Sequence, residues 1–254
     1  PSGGRAPTPA IKTEKSKDIN LSSSALCKIG DIYFDRKDYA KANESYDIVL
    51  DKYADSFWAD YAQYQVGNIF LLTERCDQAV LAYEGALVNF PGTSLRPKIT
   101  FQLGLAYFKK DDFEHAAAEF AKLLKDYPAS QMAGQAQMYL ANSLYDLGKY
   151  DEALSLYKEI ISGGADAERK MMASYQMAWC YYNVHREAEA VAAFTKFLTD
   201  YPASDMAVDV LFWLGEHYKA KGDYARAGQY FGTILKEHAA SDMVAEVLYQ
   251  SALM

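Results

Sequence analysis

The side chains best suited to catalysis or metal binding are scattered along this sequence. Glu216 does precede His217, but the second histidine that a metalloprotease helix requires is missing. No G-x-S-x-G nucleophile elbow or glycine-rich phosphate loop occurs, and the acidic pair Asp111-Asp112 falls in a predicted turn. The other histidines, which we interpret as solvated surface residues, are His115, His185 and His238. The sequence therefore predicts a protein that is not an enzyme and has no metal or cofactor.

The three cysteines, Cys27, Cys76 and Cys180, form no C-x-x-C pair and no framework of disulfide spacings. Each stands where the pattern described below places a small or apolar side chain. We therefore expect three unpaired thiols that pack as small apolar residues.

Composition narrows the class of partner. The formal net charge is −8 and the isoelectric point is about 5.1, which argues against nucleic acid because its binding proteins present a basic face. No stretch approaches the ~18 uninterrupted apolar residues of a membrane-spanning helix. The sequence predicts no nucleic-acid binding and no membrane span.

One pattern recurs every 37 residues through almost the whole chain. A small residue occupies a position that we call the crossing position, and an aromatic residue occupies a later one that we call the ring position. The crossing residues are Gly30, Gly67, Gly104, Ala141, Ala178, Gly215 and Ala252. The ring residues are Tyr46, Tyr83, Phe120, Tyr157, Phe194 and Phe231, each four residues after an alanine. A fixed period of this length is typical of a solenoid.

Apolar residues around the crossing position are spaced by three and four, so they share one face of a helix. A polar turn such as Leu147-Gly148-Lys149 follows, and then the helix that carries the ring residue. Pro91, Pro128 and Pro202 fall after this second helix, where they would prevent its continuation. Ser56, Ser130, Ser204 and Ser241 would cap the next first helix. Each repeat is therefore predicted to be a helix–turn–helix pair.

This pattern resembles the tetratricopeptide repeat (TPR), whose signature is W-x2-L-G-x2-Y…A-x3-F…P over about 34 residues. The resemblance implies an all-α, right-handed superhelical solenoid that binds proteins. Two features depart from this signature. The position of the signature tryptophan holds a different residue type in every copy, and the period is 37 residues. The longer form, punctuated by Tyr-Pro-Ala-Ser, is similar to repeats of bacterial outer-membrane assembly lipoproteins and Tol-Pal-associated coordinators. That similarity implies a periplasmic or outer-membrane-associated protein, with the cytoplasm as the alternative.

The predicted organisation is a flexible leader over residues 1–19 followed by a TPR array over residues 20–254. The repeats are 20–56, 57–93, 94–130, 131–167, 168–204 and 205–241, with a partial seventh at 242–254. We expect that the chain is cut from a longer array.

In related arrays the first helices line a concave groove that binds peptides or partner helices. The resemblance places in this groove the residue just after each crossing position, which we call the inner position, and the residue three further on. The groove residues predicted here are Asn68, Leu105, Phe108, Asn142, Tyr145, Trp179 and Tyr182. Tyr175 and Phe212, three before the crossing position, are predicted to pack between repeats.

The chaperone-binding carboxylate clamp is a known TPR alternative that this sequence disfavours. Of the clamp positions only Lys98 matches, since the others hold Cys27, Asp31, Gln65 and Gln102. We expect a non-enzymatic scaffold that holds a peptide or amphipathic helix of another protein. Two alternatives stay open: a module that self-associates into homo-oligomers, and a regulatory domain of a larger protein.

Overall fold

The structure is a computed structural model that describes residues 9–254, with side chains from residue 16 onward. This range holds thirteen α-helices and no strand. The first helices of the repeats are α1 (Pro9–Asp35), α3 (Ala59–Leu72), α5 (Arg96–Lys109), α7 (Ala133–Asp146), α9 (Ala167–Asn183), α11 (Ala207–Ala220) and α13 (Val244–Ala252). The second helices are α2 (Tyr39–Lys52), α4 (Cys76–Asn89), α6 (Phe113–Asp126), α8 (Tyr150–Ser162), α10 (Glu187–Asp200) and α12 (Tyr224–Glu237). The all-α solenoid of helix–turn–helix repeats is confirmed.

Helix α1 begins before the predicted start of the array. Residues 9–19, predicted to belong to the leader, are helical, and residues 1–8 lie outside the described residues. Pro9 is at the first helical position, where proline is well tolerated. Residues 10–29 contain no glycine or proline, so nothing in this part of the sequence stops the helix. Asn20 in this helix accepts a hydrogen bond from the backbone N–H of Phe57 (3.0 Å), which ties α1 to the start of the second repeat.

The crossing residues are small because the ring residue of the same repeat lies against them. A Cβ built on Gly67 would lie 2.4 Å from the ring of Tyr83, and one built on Gly215 would lie 2.4 Å from the ring of Phe231. All six ring residues are almost completely buried. The two helices of a repeat can therefore approach closely only where the crossing side chain is minimal.

The turn inside each repeat has the same left-handed residue. Its φ is positive at Lys37, Glu74, Asp111, Gly148, His185 and Gly222, in one register. In the first repeat Asp38 N–H donates to Tyr33 C=O (2.9 Å) and Lys37 N–H to Phe34 C=O (2.9 Å). This is the hydrogen-bond pattern of a Schellman cap, which satisfies carbonyls at the end of the first helix.

The segment between the second helix of one repeat and the first helix of the next, which we call the joint, has a recurring hydrogen bond. Where serine or threonine occupies it, the hydroxyl oxygen accepts a hydrogen bond from the N–H two residues later, as Ser130 does from Met132 (3.2 Å). The joint between α8 and α9 differs because it holds Gly163 and Gly164 instead. There Asp166 caps α9, accepting from the Arg169 N–H (2.8 Å), and α9 begins earlier in the register than α3, α5, α7, α11 and α13.

The chain divides into two compact units, Pro1–Ser143 and Leu144–Met254. Within the first, α1 to α5 each pack on the next helix, and α1 and α3 as well as α3 and α5 are neighbours. Its core is built around ring residues such as Tyr46, Tyr83 and Phe120. Within the second, α8 to α12 each pack on the next helix, and Phe194 and Phe231 belong to one continuous core.

Candidate functional site

The first-helix face of Pro1–Ser143 carries a network of polar side chains. Asp31, the inner residue of the first repeat, accepts hydrogen bonds through Oδ1 from the hydroxyls of Tyr46 (2.6 Å) and Tyr61 (2.8 Å). The Nε2 of Gln65 donates to the same oxygen (3.3 Å). Burial and the bonded Asp31 carboxylate raise the pKa of Tyr46 and Tyr61. Both tyrosines therefore stay protonated and donate to Asp31.

The predicted groove residue Asn68 extends this network. Its Nδ2 donates to Gln65 Oε1 (2.6 Å), and its Oδ1 accepts from the hydroxyl of Tyr83 (2.7 Å). Both ends of the amide are thus bonded inside the protein. Its role in binding a partner stays a prediction.

The other predicted groove residues of this unit are Leu105, Phe108 and Asn142, and all three are half-buried. Leu105 packs against the ring cores of two successive repeats. Phe108 meets the rings of Phe113 and Tyr139 with centroids 5.4 and 5.3 Å apart. Leu105 and Phe108 therefore help to hold the repeats together.

In Leu144–Met254 the first-helix face is different, because aromatic rings dominate it. Trp179 on α9 contacts Phe194, the ring residue of its own repeat (5.1 Å between centroids), and Tyr182 (5.8 Å). Trp213 on α11 meets Trp179 (6.3 Å) and Tyr182 (5.5 Å) from the next repeat. Tyr182 keeps 46% of its surface exposed. Two predicted groove residues, Trp179 and Tyr182, thus belong to one aromatic cluster.

A cleft of about 300 Å³ opens at this cluster. We call it the aromatic–acidic cleft, and its lining residues are Tyr175, Trp179, Asp209, Phe212, Trp213 and Glu216. The four that lie on α11 are spaced i, i+3, i+4 and i+7, which puts them on one helical face. Burial raises the pKa of Tyr175, and the charge of the neighbouring Asp209 carboxylate adds to this rise. The cleft combines apolar ring faces with two carboxylates.

Tyr145, the remaining predicted groove residue, lies in the same unit but outside the lining of the cleft. Its hydroxyl accepts a hydrogen bond from Nδ2 of Asn183 (3.0 Å), and its ring meets Tyr150 (5.2 Å). Burial raises its pKa. Tyr145 therefore also has contacts inside the protein.

The cysteine thiols are potential reactive groups, because a deprotonated thiol is a nucleophile. Burial raises the pKa of both Cys27 and Cys180 to about 12, so these thiols stay protonated at neutral pH. All three cysteines are free, as expected from the sequence. Across residues 9–254, no group of three or more His, Cys, Asp or Glu side chains is arranged to hold a metal ion.

Two family models, both described as tetratricopeptide repeat, match the sequence. One covers residues 101–168, and the other covers residues 24–56, 172–204 and 209–241. The chain belongs to the tetratricopeptide repeat family. No curated protein matches its sequence.

Solved TPR structures share this fold at low sequence identity. PilW, titled a widely conserved type IV pilus biogenesis factor, is 18% identical with a TM-score of 0.63, and the match covers 89% of this chain and 98% of PilW. A MamA protein is 18% identical with a TM-score of 0.60, covering 71% of this chain and 92% of that one. MamA from Desulfovibrio magneticus RS-1 is 18% identical with a TM-score of 0.59, and the match covers 72% of this chain and 97% of that MamA chain. At this identity the likeness shows the TPR fold alone.

Trp213 is the cleft residue of this TPR protein that sequence reasoning missed. It lies two residues before its crossing position, as do Gln65 and Gln102. These two glutamines were already recognised as standing at clamp positions, so the register contained the signal. Tyr175 and Phe212, which were predicted to pack between repeats, contact aromatic residues on the second helices of their own repeats, with centroids 5.7 Å from Phe197 and 5.9 Å from Phe231. Both also line the cleft.

The residue two before the crossing position, which we call the reading position, lies over the inner and ring residues of the preceding repeat. Gln65 bonds Asp31 and approaches the hydroxyl of Tyr46 (3.5 Å). Tyr139 stacks on Phe120 (5.4 Å between centroids). Trp213 meets both Trp179 and Phe194 (4.5 Å). Where the preceding repeat of this TPR array is polar, the reading residue is polar, and where that repeat is apolar, the reading residue is aromatic.

Proposed function

We propose that this TPR protein is a non-enzymatic scaffold that binds a peptide or amphipathic helix of a partner protein on its first-helix face. The observation that supports this most is the aromatic–acidic cleft around Trp179. Tryptophan and tyrosine are enriched at the energetic centres of protein interfaces. Here Trp179 and Tyr175 line an open cleft and are half-buried, and the neighbouring Tyr182 is 46% exposed, whereas the ring residues are buried.

The remaining predicted groove residues would extend the contact. We propose that Asn68, Leu105 and Phe108 support a partner segment on the first helices of the second and third repeats. Asn142 and Tyr145 would do so on α7, the first helix of the fourth repeat. Phe108 and Tyr145 are half-buried, so part of each ring faces outward. The Asn68 amide is already hydrogen-bonded to Gln65 and Tyr83, so its contribution would be to hold the first-helix face rigid.

We further propose a bacterial envelope complex as the setting. The support is the resemblance of the longer repeat to those of envelope lipoproteins and Tol-Pal-associated coordinators. PilW, a structural neighbour, is titled a pilus biogenesis factor. None of the helices in the described range is both long and apolar enough to span a bilayer.

Selection of peptides from a displayed random library on the immobilised full chain tests the binding role. Affinities of the enriched peptides are then measured for wild type, Trp179→Ala and the matched control Tyr224→Ala. Tyr224 is 52% exposed on α12 and lies outside the cleft. Loss of a central tryptophan is expected to weaken binding by about 2 kcal/mol, or roughly thirtyfold.

The control should stay within about twofold of wild type, since surface side chains outside an interface contribute little. Circular dichroism and light scattering establish that both variants keep the fold and mass of wild type. Equal affinity of Trp179→Ala and wild type for every enriched peptide would contradict binding at this face.

A self-assembly module is the second candidate, and helix α13 favours it. Leu248, Tyr249 and Leu253 expose 54%, 59% and 56% of their surfaces on or just after this helix. Such a row of apolar side chains is typical of a surface that another polypeptide covers. Light scattering over a concentration series tests this, with Leu248→Glu as the variant. A mass that rises with concentration in wild type and not in the variant would support assembly, and a constant monomer mass would contradict it.

A further inference from the structure

The carboxylate of Glu216 lacks the hydrogen-bond donor that the same position has elsewhere. In the first repeat the inner residue Asp31 is bonded by the hydroxyl of its own ring residue, Tyr46. In the sixth repeat the ring residue is Phe231, which has no hydroxyl to donate. Oε1 of Glu216 has no hydrogen-bond partner among the described residues, although it is buried.

The charges within the protein leave this carboxylate poorly compensated. Lys219 approaches Oε1 of Glu216 at 3.5 Å, but its ammonium donates to the side-chain oxygen of Gln250. Asp209, the other acidic residue of the cleft, is exposed and forms no ion pair with a described residue. Among the described residues, Glu216 therefore has one nearby ammonium, which it shares with Gln250, and no hydrogen-bond donor to Oε1, so a second cation in the cleft would compensate its charge further.

The rest of the cleft suits the same ligand chemistry. The faces of Trp179, Trp213, Tyr175 and Phe212 carry partial negative charge, which attracts an ammonium or guanidinium group. A volume of about 300 Å³ lies at the small end of ligand pockets and fits one long side chain. The net charge of −8 would attract a basic segment from solution.

We propose that the aromatic–acidic cleft binds a lysine or arginine side chain of the partner polypeptide. The aliphatic part of that side chain packs on Tyr175, Trp179 and Phe212, and its charged end lies between Asp209 and Glu216. This proposal rests on the proposed scaffold function and adds to it the chemistry of the anchoring residue.

Indole N–H signals provide a direct test, because the protein has only three tryptophans. Trp58 lies in Pro1–Ser143 and is the internal control, while Trp179 and Trp213 line the cleft. The ¹⁵N-labelled full chain is titrated with Nα-acetyl-arginine amide and Nα-acetyl-lysine amide. Nα-acetyl-norleucine amide is the neutral probe of similar length. The signal that disappears in Trp58→Phe belongs to the control, and the two that remain belong to the cleft.

The cationic probes are expected to shift the signals of Trp179 and Trp213 saturably and to leave Trp58 unmoved. Norleucine amide should bind at least about tenfold more weakly, because it lacks the charge that the carboxylates recognise. The double variant Asp209→Asn, Glu216→Gln should weaken the cationic probes by a similar factor while norleucine amide is unaffected. This variant keeps the size of both side chains, so it is expected to fold.

Equal binding of cationic and neutral probes would overturn the proposal, as would cationic binding that the double variant does not weaken. Absence of any shift at Trp179 and Trp213 with either cationic probe would also overturn it. The displayed-peptide selection separates this failure from that of the scaffold function. Enriched peptides without lysine or arginine that still depend on Trp179 would leave the scaffold function in place and remove the cationic anchor. Enriched peptides that bind wild type and Trp179→Ala equally well would contradict the proposed scaffold function of the first-helix face.

Discussion

Asp31 and Glu216 occupy the same inner position in the first and sixth repeats, yet their carboxylates meet different surroundings. Asp31 accepts hydrogen bonds from two tyrosine hydroxyls and one glutamine amide. Glu216 lines the cleft with Phe212 and Trp213, and its Oε1 lies 3.5 Å from the Lys219 ammonium but has no hydrogen-bond partner among the described residues. The backbone register is the same, so the difference arises from the ring and reading residues around each acid.

The comparison indicates that, within one repeat array, the residue at the ring position decides whether the inner residue receives a hydrogen bond from its own repeat. A tyrosine at the ring position bonds the inner residue and fixes it, as in the pairs Tyr46–Asp31 and Tyr83–Asn68. Phenylalanine at the same position, as at Phe231, supplies no hydroxyl to bond the inner residue. The ring hydroxyl therefore distinguishes the bonded carboxylate of Asp31 from that of Glu216, for which we propose a binding role.

The largest predicted effect is on stability, from Asp31→Ala with Asp209→Ala as its matched partner. Removal of the Asp31 carboxylate leaves two buried hydroxyls and an amide without their acceptor, which should cost about 2–4 kcal/mol. Asp209 is exposed and bonds no described residue, so its removal should change stability by less than about 0.5 kcal/mol. Urea unfolding measures both free energies. Similar values for the two variants would mean that the network around Asp31 contributes little.

The second prediction concerns the crossing residue of the sixth repeat. Gly215→Ala should destabilise the protein by about 1–3 kcal/mol, because its Cβ would lie 2.4 Å from the ring of Phe231. Gly228 lies in the same unit on α12, and a Cβ there meets nothing within 4 Å. Gly228→Ala should therefore stabilise by about 0.5–1 kcal/mol, through helix propensity. Thermal unfolding followed by circular dichroism would show opposite shifts, and shifts of the same sign would refute close helix crossing.

The third prediction converts one region into the other. Phe231→Tyr would add a hydroxyl beneath Glu216, in the arrangement that Tyr46 and Asp31 have. We expect a stabilisation of about 1 kcal/mol from the new hydrogen bond. Binding of Nα-acetyl-arginine amide should weaken several-fold, because the carboxylate would then be occupied. The reverse exchange, Tyr46→Phe, is the control for the loss of such a bond, and unchanged probe affinity in Phe231→Tyr would argue against Glu216 as a ligand.

The smallest predicted effect separates two histidines by their pKa values. Asp112, whose carboxylate contacts His115 Nδ1 at 2.8 Å, raises the pKa of His115 above 6.5. Burial against Trp213, assisted by the charge of Lys221, lowers the pKa of His217 below 6.5. An NMR titration of the two imidazole signals measures both values, and the opposite order would contradict these environments.

The sign of each pH effect on stability follows from these shifts. Protonation of His217 is easier in the unfolded chain, so its contribution is lost as pH falls below about 6.5. His115 acts in the opposite sense, because its contribution is present at low pH and is lost as pH rises through its raised pKa. His217→Gln should remove the loss at acid pH.

Most of the fold could be predicted because one register specifies it repeatedly. The crossing glycines and the ring residues each have a physical role that the sequence reveals. The joint serines were predicted to be N-caps, but Ser56, Ser204 and Ser241 instead accept a hydrogen bond from the N–H of the N-cap residue two positions later. The start of α1 was missed, since the leader ends in residues that favour a helix and carry no periodic apolar pattern. The early start of α9 depends on Asp166 as an N-cap, in the repeat where two glycines replace the usual joint.

The candidate site was only partly predictable, because register identifies the face of a helix and not the partners of a side chain. Trp179 and Tyr182 were recognised from their positions. Asn68 looked equally suitable, but its amide is bonded by Gln65 on the same helix and by Tyr83 on α4. Trp213 lay outside the positions considered, although it completes the cleft. Such contacts between repeats require coordinates.

The match between the reading residue and the repeat before it has a consequence for engineering chimaeras. A graft cut at the boundaries of the sequence repeat would carry Trp213 away from Trp179 and Phe194, and it could set an indole above a buried carboxylate. The transplantable cassette therefore starts one residue before a crossing residue and finishes at the reading residue of the following first helix. Swaps made with this offset frame should preserve the local chemistry that each donor had.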